Sequence, residues 1–266
     1  MAVNAVLIVL ACWLLWWRVQ VKQFQETVKA VEEAYLRGEY ERGLKLAENL
    51  KQRRSTPPDY FWLRGEVLYQ LGKLPEAESC LQTGLKLEAE APKKAVAREA
   101  LGRVLTELNR YDEAIACFEA SIEECPDLGS GHRAMAEVYL RQGIRAADAL
   151  GGARLAVKLA RAARAHNKQI QDLNLSEAQA TLAWAVAAQA GDAQEVDRLL
   201  ADAFLLCGEE YRPIRAHLNC LAAAAYLALG TPSAREKSAG HLQLASIGDS
   251  VGNFGRRAKA GLEATV

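Results

Sequence analysis

The stretch Ala95–Leu128, AVAREALGRVLTELNRYDEAIACFEASIEECPDL, decides the fold class of this 266-residue chain. Leu101, Leu105 and Leu108 recur at helical spacing and form one apolar stripe, with Gly102 beside it. Asn109 and Arg110 break the pattern. Tyr111, Ala114, Ile115, Phe118 and Ile122 then make the stripe of a second helix, which Pro126 stops. Small residues at Gly102 and Ala114 predict a close approach of the two helices, because a larger side chain at either would push the axes apart. One such hairpin cannot bury both stripes alone, so neighbours must stack on it.

The same theme runs outward in both directions from Phe24 to the C-terminus. Leu101-Gly102, Tyr111, Ala114, Phe118 and Pro126 make this segment resemble a tetratricopeptide repeat, whose pattern places Leu-Gly, an alanine, an aromatic and a proline at set intervals. Earlier units offer Phe61, Gly65, Gly72, Ala77 and Leu81, then Gly38, Tyr40 and Ala47. A later one offers His132, Met135-Ala136, Tyr139 and Gly143. Repeats are expected at 24–57, 58–94, 95–128 and 129–166, degenerate hairpins over 176–246, and a capping helix at 253–264. Ile144–Gly152 departs from the pattern and is expected as a longer loop or an extension of the preceding helix. The resemblance implies an all-α, right-handed solenoid of helical hairpins whose first helices line a concave groove.

In that geometry Tyr35, Trp62, Glu66, Tyr69, Arg103, Glu107, Arg133, Glu137 and Arg141 would face the groove and bind a protein or peptide. Trp62, Glu66 and Tyr69 share one helix face, and aromatic area beside alternating charge suits a peptide or helix ligand. Two readings stand for the aromatic pair: groove anchors, or packing against the preceding hairpin. Replacing both by alanine separates them, since groove anchors would weaken partner capture and leave the thermal melt unmoved. Val28, Glu32, Trp62 and Glu66 occupy the slots where some family members carry a carboxylate clamp. An acidic entrance there disfavours a chaperone tail.

At the other end, Ala2–Trp17 carries no charge before Arg18, and Trp13, Trp16 and Trp17 gather at one edge. The segment 1–22 is expected as a transmembrane helix, single-pass, with the repeat body cytoplasmic because Arg18, Lys22 and Lys29 follow the apolar core. A cleaved signal peptide fits less well, since no basic residue precedes the core.

Composition narrows the chemistry. Lysine plus arginine equal aspartate plus glutamate, so no net basic field exists to hold nucleic acid. The six cysteines are scattered without a Cys-x-x-Cys pair, and the four histidines (His132, His166, His217, His241) lie far apart. Neither a phosphate-binding loop nor a nucleophile elbow occurs, and no cofactor is expected. The expected function is a membrane-tethered adaptor without catalysis, acting through its groove. The alternative is an outward-facing structural subunit that self-associates. The sequence leaves the oligomeric state open.

Overall fold

The computed structural model describes the chain except residues 1, 52–57, 164–167, 190 and 266, and inside its helices the side chains at 2–17, 20, 51, 59 and 265. Thirteen helices and no strand occur among the described residues. Six are the first helices of hairpins: α1 (Ala2–Leu36), α3 (Pro58–Gln70), α5 (Ala91–Glu107), α7 (Gly129–Gln142), α9 (Lys168–Gln189) and α11 (Arg212–Leu229). Their partners are α2 (Tyr40–Lys51), α4 (Leu74–Leu87), α6 (Tyr111–Glu124), α8 (Ala146–Ala163), α10 (Ala193–Leu206) and α12 (Pro232–Gly248). A last helix, α13 (Asn253–Thr265), follows.

The turn inside each hairpin is a backbone event. Every first helix is followed by a residue with positive φ: Gly38, Gly72, Asn109, Gly143, Gly191 and Gly230. Glycine reaches this left-handed conformation without a Cβ penalty, and asparagine is the side chain that tolerates it best. At Gly72 the amide donates to the Tyr69 carbonyl and the next amide, on Lys73, reaches back to Leu68, which satisfies the last carbonyls of α3.

Small residues set the spacing between helices. A Cβ added at Gly102 would stand 2.5 Å from the Phe118 ring, and one at Gly65 would stand 2.7 Å from Leu81. Phe118 and Leu81 are almost fully buried in the central apolar cluster, where they fill the space the glycines leave. The segment after Gly143 differs from the expectation. Gly152 lies inside α8 and faces the His132 carbonyl and Ala136 on α7, where an ideal Cβ would stand at ordinary contact distances of 3.4 and 3.7 Å. Residues 146–152 are helix, neither a long loop nor an extension of α7. The next hairpin opens earlier than 176, at Lys168.

The first helices do more than stack in a row. α1 packs on α3, α3 on α5, α5 on α7, α7 on α9 and α9 on α11, and α11 comes back to touch α1. α13 packs against α12 and α11 and reaches α3. The first-helix circuit is closed, and α13 lies beside that closure, in contact with the second repeat, rather than covering an open end.

The expected membrane localisation is corrected by the structure. Among the described residues no helix is long and apolar enough to cross a membrane. Beyond residue 17, Arg18, Lys22, Glu26 and Lys29 interrupt α1 too often for an apolar span. α1 also shows no break at residues 22–24, where a separate transmembrane helix was expected to end, and Val31 and Ala34 near its C-terminus are buried in the repeat body. The apolar stretch 2–17 that prompted the expectation lies outside the residues whose side chains are described.

Gly102→Val is expected to lower stability by about 1–3 kcal/mol, the usual cost of overpacking a tight core. Adding Phe118→Leu should recover part of the loss in a thermal melt followed by circular dichroism. Equal melts for Gly102→Val and the parent would show that the α5–α6 contact is loose.

Candidate functional site

First-helix residues at successive turns project to the inside of the circuit, and there their charges meet. From α3, Glu66 receives Arg103 Nη2 of α5 at 2.5 Å. Arg103 Nε also lies 3.9 Å from Glu99, one turn earlier on α5. Glu99 in turn accepts a hydrogen bond from Ser130 at 2.5 Å and stands 3.9 Å from Arg133 of α7. The Arg133 guanidinium then reaches Glu137 on its own helix at 2.5 Å and Glu177 of α9 at 3.4 Å. His217 of α11 completes the set, with Nδ1 2.7 Å from Glu177 and Nε2 3.5 Å from Glu137.

A second branch begins at Glu107 on α5. Its Oε1 accepts from Arg141 of α7 at 2.9 Å and from Arg257 of α13 at 3.1 Å. The two branches meet at Phe254, the second residue of α13. Its ring stacks on the His217 imidazole at 4.3 Å between centroids and stands edge-on to Tyr69 at 6.3 Å. Arg103 lies over the other ring of the pair, 5.7 Å from the Tyr69 centroid. About 20 Å³ of space remains beside these groups, the size of one water molecule.

The residues expected to line an open groove are thus brought together, but against one another. Glu66, Tyr69, Arg133 and Glu137 are buried, and Arg103, Glu107 and Arg141 are partly so. Tyr35 sits at the edge, where its hydroxyl accepts from Gln70 Nε2 at 3.1 Å. Trp62 stands apart from the cluster. It lines a separate apolar pocket of about 290 Å³ with Pro58, Leu81, Pro92 and Val96. Tyr69 is only 3% exposed and belongs to the central apolar cluster. Its replacement is therefore expected to move the melt, as the packing reading of this ring requires.

Sequence reasoning missed Glu99, Glu177, His217, Phe254 and Arg257. Glu99 was within reach, since it precedes Arg103 by one helical turn and shares its face. Glu177 and His217 come from the next two first helices along the row, while Phe254 and Arg257 of α13 are brought in only by closure of the circuit. Among the described residues no group of His, Cys, Asp and Glu side chains is arranged to hold a metal ion, and the described cysteines are free thiols.

Burial sets the protonation of the cluster. It disfavours the His217 cation, yet the Glu137 and Glu177 carboxylates outweigh it and hold the imidazole above its ordinary value. Burial likewise pushes the Glu177 carboxyl up, but Arg133 and His217 bring it down to about 2. Glu137, against the same groups, also lies below the usual carboxylate range. Arg257 and Arg141 overcome burial at Glu107 and hold it below its ordinary value. Glu66 is the exception, for there burial outweighs Arg103 and the carboxyl is raised. With His217 protonated, Arg103, Arg133, Arg141, Arg257 and His217 balance Glu66, Glu99, Glu107, Glu137 and Glu177.

The sign of the resulting pH dependence follows from linkage. The His217 contribution is fully present below about pH 6.5, its unfolded value, and is lost as pH rises through the higher folded value. The Glu177 contribution is present above about pH 4.5 and is lost as pH falls toward about 2. Denaturant midpoints should therefore fall on both sides of that window, and His217→Gln should flatten the alkaline side. An unchanged alkaline side in the variant would remove His217 from the balance. Tyr69→Ala should cost roughly 3 kcal/mol or more in the same measurement.

Comparison with known proteins agrees with this architecture. Residues 60–123 match the family model of the tetratricopeptide repeat. The comparison with curated proteins found no match. Among solved structures, a thermophilic tetratricopeptide protein of Thermus thermophilus is 20% identical and aligns with a TM-score of 0.50, covering 77% of this chain and 98% of its own. The C-terminal part of a repeat-containing protein from Cytophaga hutchinsonii is 13% identical, with a TM-score of 0.41 over 87% of this chain and 98% of that one. YrrB, described as having an unusual peptide-binding site, is 19% identical, with a TM-score of 0.35 over 81% of this chain and 96% of that one. Residues 60–123 thus carry tetratricopeptide repeats, and the chain has the all-α solenoid fold of proteins built from them.

Proposed function

We propose that this chain is a protein-interaction scaffold, without catalysis of its own, that engages a protein segment along the face built by its first helices. One observation carries the reading: that face already holds a protein segment, the chain's own residues 253–257. It does so with an aromatic slot, main-chain contacts and a carboxylate for a guanidinium. The expected groove residues divide accordingly. Tyr69 and Glu107 touch the occupant; Arg103, paired with Glu66, and Arg141 hold those two, while Arg133 and Glu137 support His217. Tyr35 orients Gln70, and Trp62 offers a second, open apolar surface beside Val96. The space of about 20 Å³ next to His217 leaves no room for an organic substrate beside the buried charges.

Photo-crosslinking in cells expressing the full chain tests this. A photoreactive residue at Trp62, on the first helix α3, should trap a protein that one at Leu205, exposed on α10, does not. Trapping at Leu205 alone, or at neither position, would sink the reading.

A further inference from the structure

α13 meets the concave face with its first turn. The Asn253 amide donates to Gln70 Oε1 at 3.3 Å, and Gln70 is fully buried. Phe254 fills the slot between His217 and Tyr69. Two residues on, Arg256 Nη2 donates to the Gln70 main-chain carbonyl at 2.8 Å. Three residues on, Arg257 Nη1 reaches Glu107 at 3.1 Å while its guanidinium lies 5.9 Å from the Phe254 centroid. The face reads an aromatic residue at the start of a helix, followed by basic residues at the second and third positions beyond it. Shape, hydrogen bonding and charge all point to the same pattern.

The occupant's apolar hold rests on few side chains. Apart from Phe254, the apolar side chains with which α13 joins the core are Ala258, which is small, and Leu262, which is half-buried. The segment joining it to α12 is short and holds on through Asp249, whose carboxylate accepts from the Tyr40 hydroxyl at 2.7 Å. A terminal helix with one large buried side chain is expected to open before the first helices α9 and α11, which pack on neighbours along their length.

We propose that the surface formed by Tyr69, Gln70, Glu107 and His217 is a docking site for a partner helix that opens with the pattern aromatic–x–basic–basic, and that residues 254–257 are a resident competitor for it. The apparent affinity for the partner is then set by the fraction of molecules whose α13 has left the slot. This rests on the scaffold reading above and names the ligand chemistry for its groove.

The probe is a labelled peptide of residues 248–266, added to the full chain and to the full-length Phe254→Ala/Arg257→Gln variant. The variant should bind it at least tenfold more tightly in fluorescence anisotropy. Adding Glu107→Gln to the variant, or Phe254→Ala to the peptide, should reverse most of that gain. A folded variant that binds no tighter than the parent overturns the proposal. If the variant does not fold, hydrogen exchange on the parent decides: 253–265 amides should exchange before those of α9 and α11, and exchange together with them overturns it. A crosslinked partner that the peptide fails to displace sinks this proposal and leaves the scaffold reading standing. Absence of any crosslinked partner sinks that reading, while tighter peptide binding by the variant stands on its own.

Discussion

A guanidinium as buried as that of Arg133, 4% exposed, costs several kcal/mol to remove from water unless anions surround it. Glu99, Glu137 and Glu177 supply them, and they come from three different helices. The pairing can form only when α5, α7 and α9 stand at the right distance and rotation. His217 adds α11 to the same set, and Glu66 with Arg103 adds α3. The polar interior therefore specifies how far the row of hairpins must curve. Apolar stripes alone would hold neighbours together without saying where the row ends.

Those stripes do the local work. Phe118 and Leu81 press on glycine backbones across each hairpin, and the left-handed residue after every first helix turns the chain back upon itself. This division of labour is physical. Dispersion and hydrophobic burial fix each helix pair over a few ångströms, while charges in the low-dielectric interior act between helices of different hairpins.

Much of the hairpin architecture was legible, because it is written in local spacing. Leu101 with Gly102, and Ala114 with Phe118, announce a helix pair whatever lies elsewhere in the chain. Residues 146–152 were misjudged because Gly151-Gly152 normally marks a break, whereas both glycines lie inside α8. The apolar N-terminal stretch suggested a separate spanning helix, but α1 carries on into the repeat body without interruption. The candidate site was half legible. Residues at one helical face could be named, but Glu177 and His217 come from the next two hairpins along the row, and Arg257 arrives only through closure. Nothing in a single helix reveals that two ends of a row will meet.

That meeting alters how the molecule should lose its structure. In a linear array each unit is held by its immediate neighbours, so unfolding begins by fraying at an end and creeps inward. Here α11 touches α1, and the innermost charges come from α3, α5, α7, α9 and α11 together. An opening at any of those five hairpins strands ions contributed by the others. Apart from α13, the chain should therefore come apart as one cooperative unit, with the transition of a globular domain instead of the stepwise melting of a repeat array.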